Sequence, residues 1–186
     1  AYNESISVLF RGLMDFTAMR AAVQGLVDRH ESLRATLSPE GDELCIVEHL
    51  ALDVPLLDWR ALAEAERDAR LRAHLEAVVR VHFDLENGPL FRVELVRLTD
   101  DQTALVISAH HIVCDGWSFG VLLSDLAGLY SQHREDGGTP LSPANSFADY
   151  SLEQIALLQS SEHAADESFW LERFKGGVPT LELPTD

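Results

Sequence analysis

Between Ser108 and Trp117 the chain reads SAHHIVCDGW, which sets two histidines, a cysteine, an aspartate and a glycine directly behind a run of apolar residues. Three kinds of chemistry suit these residue types. Two histidines, with an aspartate four residues beyond the second, could supply metal ligands. Neighbouring residues on an extended strand point to opposite faces, however, so His110 and His111 grip a single ion poorly. A second possibility is a hydrogen-bonded polar strand end with no chemistry at all. The third is acid/base work, because imidazole titrates near neutrality and can take a proton from an amine or hydroxyl nucleophile. Alternation then lets one histidine pack into the scaffold while the other faces a cleft. Gly116 suits a sharp turn or the close approach of a ligand. The concentration of His, His, Asp and Gly in one bend favours the acid/base reading over the other two.

The elements that must position this bend follow from periodicity. Ser5–Arg11 alternates as a half-buried strand does. Asp15 is placed to cap a helix running to about Arg29, with Phe16, Met19, Val23, Leu26 and Val27 on its inner face. Leu33–Leu37 and Leu44–Glu48 read as two short strands, and Asp58 to Val81 as one long amphipathic helix. Leu90–Leu98 and Thr103–Ala109 form a hairpin whose second strand, TALVISA, is apolar enough to lie centrally in a sheet. A helix from about Ser118 to Ser131 follows the bend. His133–Asn145 reads as an exposed loop. Helices near Phe147–Gln159 and Ala164–Lys175 precede an extended tail, VPTLELPTD. Strands and helices mixed in this order imply an α/β sandwich, a mixed sheet covered by helices.

Composition narrows the function classes. With 31 acidic against 14 basic residues, the formal charge is −17. Such a surface repels phosphate backbones, so no nucleic-acid partner is expected. No run of about 18 apolar residues occurs, so no membrane span is expected, and the N-terminus lacks signal-peptide character. Two cysteines, Cys45 and Cys114, make no disulfide framework, which points to the cytoplasm. His49, His74, His82, His133 and His163 have no evident chemical partners and read as ordinary. No metal site is expected.

Residues 110–118, HHIVCDGWS, match the HHxxxDGWS signature of the condensation domains of nonribosomal peptide synthetases, and the chain resembles that family. Further matches run in order along it. Residues 29–37, RHESLRATL, resemble RHExLRTxF, and residues 83–92, FDLENGPLFR, fit FDLxxGPLxR. Phe147-Ala148-Asp149-Tyr150 is similar to the YxDFAxW segment, with Phe147 for Tyr and Glu153 for Trp, and the closing LELPTD is also similar to the family. The resemblance implies a chloramphenicol acetyltransferase-like fold, of which residues 1–186 would be the N-terminal lobe only. A half-domain of this kind is expected to be inactive alone.

The resemblance further implies that the chain takes part in joining a donor acyl or peptidyl thioester to an acceptor aminoacyl thioester. Both substrates would ride on the phosphopantetheine of peptidyl carrier proteins, with no cofactor bound by the domain itself. An adenylation domain and the C-terminal lobe would be its other partners. His111 would be the central catalytic residue, with Gly116 offering its backbone N–H to an oxyanion and His110 beside them. Asp115 would brace the bend through a buried pair with Arg34, so that Asp115→Ala chiefly harms folding. Trp117 and Ser118 are weaker candidates for the substrate tunnel. Rival readings are an epimerization domain, a coenzyme A-dependent acyltransferase of the same superfamily, and a non-catalytic carrier-docking module. Trp117-Ser118 favours condensation over epimerization.

Overall fold

The structure of the protein is a computed structural model that describes residues 2–134, 138–178 and 180. Its backbone divides into two compact units, Ala1–Ala144 and Asn145–Asp186.

The first unit is organised by the apolar strand that precedes the motif. β6 (Gln102–His110) pairs antiparallel with β1 (Asn3–Arg11) on one side and with β5 (Phe91–Arg97) on the other. β4 (Leu56–Asp58) adds in parallel beyond β5, so the sheet order is β1-β6-β5-β4. Alternation along β6 divides its side chains between two apolar layers. Leu105, Ile107 and Ala109 pack with the buried residues of α1 (Phe16–Arg29) and α3 (Gly116–His133). Ala104 and Val106 face the other way, toward Trp59 and the partly buried Leu71, Leu75 and Val78 of α2 (Glu64–Val78). This is an α/β sandwich with a mixed sheet covered by helices on both faces. β2 (Ala35–Leu37) and β3 (Leu44–Ile46) form a separate antiparallel pair.

Several boundaries differ from those the sequence suggests, each for a physical reason. β1 begins at Asn3 rather than Ser5, because its pairing with β6 continues to the Asn3–His110 partners. The expected strand over Leu33–Leu37 starts with a 3-10 turn, Glu31–Arg34, which buries Leu33 and Arg34. The expected helix from Asp58 starts only at Glu64, because Leu56–Asp58 joins the sheet edge and Trp59 turns into the core, 6% exposed. Between Phe83 and Leu90 the chain bends at Gly88, whose φ of +62° lies in the left-handed region. A Cβ there would meet Thr36 Cγ2 at 2.9 Å, so both conformation and space call for glycine.

In the second unit, Ser146 caps α4 (Phe147–Leu158) and Ser160 caps α5 (Ser161–Phe174). The expected tail lies almost wholly outside the described residues, as does its LELPTD stretch. Among the described residues no helix is long and apolar enough to cross a membrane.

Candidate active site

β6 ends at His110, and a three-residue turn leads to Asp115, the N-cap of α3. The two histidines therefore straddle the strand end and part company there. His110 lies on the α2 side of the sheet. Its Nδ1 accepts from the Ile112 N–H at 3.2 Å, and its ring meets Phe83 edge-on with centroids 6.3 Å apart. Burial, reinforced by the neighbouring His111, holds the His110 imidazole below the ordinary histidine range.

His111 is more open, its side chain 48% exposed. Its backbone N–H donates to Tyr2 O at 2.7 Å, which ties the turn back to the start of β1. Its Nε2 lies 3.0 Å from Glu4 Oε1. Glu4 is absent from the sequence-derived site, since only the β1–β6 register brings it there. That register is a property of the folded sheet and not of any local pattern.

The first turn of α3 is built by reciprocal capping. Asp115 Oδ1 accepts from the Ser118 N–H at 2.8 Å and from the Ser118 hydroxyl at 2.6 Å. The Ser118 hydroxyl accepts in turn from the Asp115 N–H at 3.2 Å. These bonds, the Ser118 hydroxyl first, hold the Asp115 carboxyl below the usual carboxylate value. Gly116 is the first helical residue of α3 and not a turn glycine. Nothing lies within 4 Å of where its Cβ would be, and its N–H, in the first turn, has no intrahelical acceptor. The positive end of the α3 dipole is thus presented beside the His111 turn.

The expected buried Asp115–Arg34 pair does not form, and the roles assigned to it require correction. Arg34 is buried, 9% exposed, but its guanidinium serves the backbone. Nε donates to Val27 O at 3.0 Å, one terminal nitrogen to Val47 O and Glu48 O, and the other to Asp28 O. Five donors in a fixed fork suit such a cluster of carbonyls. Arg34 stitches the end of α1 to the segment after β3, while Asp115 is an exposed helix cap. The ionic link between α1 and α3 lies elsewhere. Asp125 Oδ2 accepts from Arg29 Nε at 2.7 Å and contacts His30 Nε2 at 2.9 Å, with all three side chains less than 20% exposed. Asp125 stands on the inner stripe of α3 beside Leu122 and Leu126, and a charge on that stripe is the signal that could have revealed it.

Trp117 is 85% exposed and so is not a core residue. With Gly116, Gly120, Val121, Ser124 and Asp125 it lines a groove of about 500 Å³ along α3. A second recess of about 150 Å³ adds Ser118, His30 and Val113 to the surroundings of Trp117. His111 lines neither, and its side chain is half-exposed. Cys114 is buried, and burial, with Glu4 and Asp115 nearby, pushes its thiol up to about 12, so it is neutral and no nucleophile. Two histidines that read as ordinary have carboxylate partners: His74 contacts Glu94 at 2.6 Å, and His49 contacts Asp28 at 3.2 Å. Among the described residues no group of three His, Cys, Asp or Glu side chains is gathered for a metal.

The Condensation domain family profile matches residues 1–186. A linear gramicidin synthase of Brevibacillus parabrevis is 36% identical over 190 residues, which is all of this chain but 4% of that protein. The fold is similar to the crystal structure of the SgcC5 protein of Streptomyces globisporus, with a TM-score of 0.82 and 27% identity, over 94% of this chain and 40% of that one. It is similar also to the starter condensation domain of the rhizomide synthetase RzmA, again at a TM-score of 0.82 and 27% identity, over 92% and 42% of the two chains. The chain therefore spans a few per cent of the curated relatives' length and about two fifths of the solved structures.

Proposed function

This chain belongs to the condensation-domain family, and we propose that it is the histidine-bearing N-terminal lobe of a domain that forms an amide between two carrier-bound thioesters. The observation that carries the reading is the placement of His111. It stands half-exposed just past the end of the central strand, beside the N-terminus of a capped helix.

The amine of the acceptor aminoacyl group attacks the carbonyl carbon of the donor thioester. As the C–N bond forms, His111 accepts or hydrogen-bonds an amine proton, and the carbonyl oxygen becomes an oxyanion. The Gly116 N–H, free of an intrahelical acceptor, is the donor suited to that oxygen. The C–S bond then breaks, and the proton passes to the departing phosphopantetheine thiolate, leaving an amide and a free thiol. A thioester is already activated, so alignment of two tethered groups supplies much of the acceleration, and effective molarities of about 10⁵ M are attainable. His110, packed against Phe83, is the scaffold member of the pair.

The substrates ride on the phosphopantetheine of donor and acceptor peptidyl carrier proteins, and a C-terminal lobe supplies the facing wall above His111. The isolated lobe is accordingly inactive, and an adenylation domain loads the acceptor carrier. Two free thiols, one buried and one exposed, fit the reducing cytoplasm. The test is formation of the amide by the complete synthetase with both carriers loaded, followed by mass spectrometry of the upstream and downstream arms. The His111→Ala protein should leave the donor on its original carrier. Transfer at the wild-type level would overturn the proposal.

A further inference from the structure

The segment FDLENGPLFR, residues 83–92, has no part in the reaction above, yet its fold brings its two ends together beside His110. Asp84 Oδ1 accepts from the N–H groups of Glu86 and Asn87, both at 3.1 Å, and the Gly88 N–H returns to Asp84 O at 2.8 Å. This turn leads the chain back toward β5, and Leu90, just before that strand, accepts the His110 N–H at 2.9 Å. Arg92 is the register partner of Ser108, so its side chain leaves the sheet on the face that His110 also uses. The Arg92 guanidinium lies over the Phe83 ring, its Cζ 3.9 Å from the centroid, and donates to His82 O at 2.8 Å. One side chain thus holds both the ring of Phe83 and the backbone just before it. Asn3, the register partner of His110, adds a second hold on the same segment from β1, donating to Val79 O at 2.9 Å and to Val81 O at 2.7 Å.

The grip matters because of what Phe83 touches. A cation over the face of an aromatic ring leaves the ring edge free, and Phe83 meets the His110 ring at an interplanar angle of 80°. His110 in turn anchors the turn that follows it. The His111 N–H donates to Tyr2 O and the Val113 N–H to His110 O, but the Ile112 N–H donates to a side chain, His110 Nδ1, at 3.2 Å. That middle bond exists only while the His110 ring keeps its orientation. Phe83, which sets that orientation from one side, belongs to no helix or strand and depends on Arg92 for its own place. We infer that Arg92 is a positioning residue for amide formation, acting through Phe83 and His110 on the turn that carries His111. The inference rests on the condensation reading given above. Arg92 fixes where His111 stands and moves no proton. Val81 and His82 are exposed, so water can take the place of the guanidinium at their carbonyls, and its loss costs little global stability.

The experiment uses the complete synthetase with both carriers loaded, and compares Arg92→Met, Arg92→Lys, Phe83→Leu, the Arg92→Met/Phe83→Leu double variant, Arg97→Met and His111→Ala. Misplacing a reacting group by about 1 Å costs about 100-fold, and loosening one hold on the turn should cost part of that, about 10-fold. Arg92→Met and Phe83→Leu should therefore each lower kcat by that factor, with the KM for the loaded acceptor carrier unchanged. The double variant should be no slower than the worse single one, because both changes act through one path. Arg92→Lys, which keeps a cation beside Phe83, should recover part of the loss. Arg97, on the same strand and 5.6 Å from the Phe16 ring, is the control for a merely structural arginine, and Arg97→Met should keep the wild-type kcat. In hydrogen exchange, residues 111–113 should exchange faster in Arg92→Met while β6 does not. If Arg92→Met does not fold, Phe83→Leu carries the same test with the same expected loss. Wild-type kcat in either folded variant, additive losses in the double variant, unchanged exchange at residues 111–113, or an equal loss in Arg97→Met overturns the inference. The condensation reading survives each of these results if His111→Ala is dead, whereas wild-type product from His111→Ala would sink both together.

Discussion

Cys114 and His110 flank the reactive turn without sharing its chemistry, and each leaves a signature in solution. The Cys114 thiol is buried and pushed up to about 12, whereas Cys45 is exposed. One thiol of the native protein should react quickly with Ellman's reagent at pH 8, and the second only after denaturation. Two equally fast thiols would show that Cys114 is not shielded. His110 titrates below the ordinary histidine value of 6.5, chiefly through burial. The unfolded chain then takes up a proton at higher pH than the folded one. Stability associated with neutral His110 is therefore complete above about pH 6.5 and is lost as the pH falls toward the folded value. His110→Phe, which keeps an aromatic ring beside Phe83, should flatten the decline in urea midpoint between pH 6.5 and 5. An unchanged slope would assign that decline to other groups. Residue types and spacing made the histidine pair legible in sequence, but not the partners. Glu4 reaches His111 across a β-ladder from 107 residues away, a distance no local pattern encodes.

Elements, more than individual contacts, hold the site in shape. Arg34 binds four backbone carbonyls at the junction of α1 with the segment after β3. Arg34→Met leaves those buried acceptors without donors and should cost about 3 kcal/mol or more in chemical denaturation. Asp115→Ala removes a cap from an exposed helix end, and its loss of stability should be much the smaller of the two. The reverse order would restore the Asp115–Arg34 brace suggested by the family motif. Gly88 offers a second test. Gly88→Ala places a Cβ at φ +62° and 2.9 Å from Thr36 Cγ2, and should cost about 1–2 kcal/mol from conformation alone. Thr36→Ser should relieve the added clash but not the conformational part, so the double variant should be more stable than Gly88→Ala. α1 was legible because it buries one continuous apolar stripe, and β6 because it is apolar toward both faces of the sheet. β4 was not, because three residues beside a proline carry too little pattern to separate a strand from the approach to a helix.

At the scale of the whole molecule, one strand serves two cores. Leu105 and Ile107 of β6 are fully buried toward α1 and α3, and Val106 toward α2. The sandwich was legible from the order of strands and helices. Its two-sided cover was not, because α2, although amphipathic in pattern, has no fully buried residue to mark the layer it covers. That construction places the His111 turn on the most constrained strand of the fold, with β1 gripping it from the side and α3 leaving it under a capped N-terminus. A rigid strand end thus holds an open imidazole, and the chemistry rests on that imidazole. The most direct measurement is single-turnover amide formation with preloaded donor and acceptor carriers, comparing wild type with His111→Ala after both are shown to melt alike. Positioned proton transfer is typically worth about 10²–10⁴-fold. His111→Ala should therefore react at least about 100-fold more slowly, and equal single-turnover rates would contradict a catalytic role for His111.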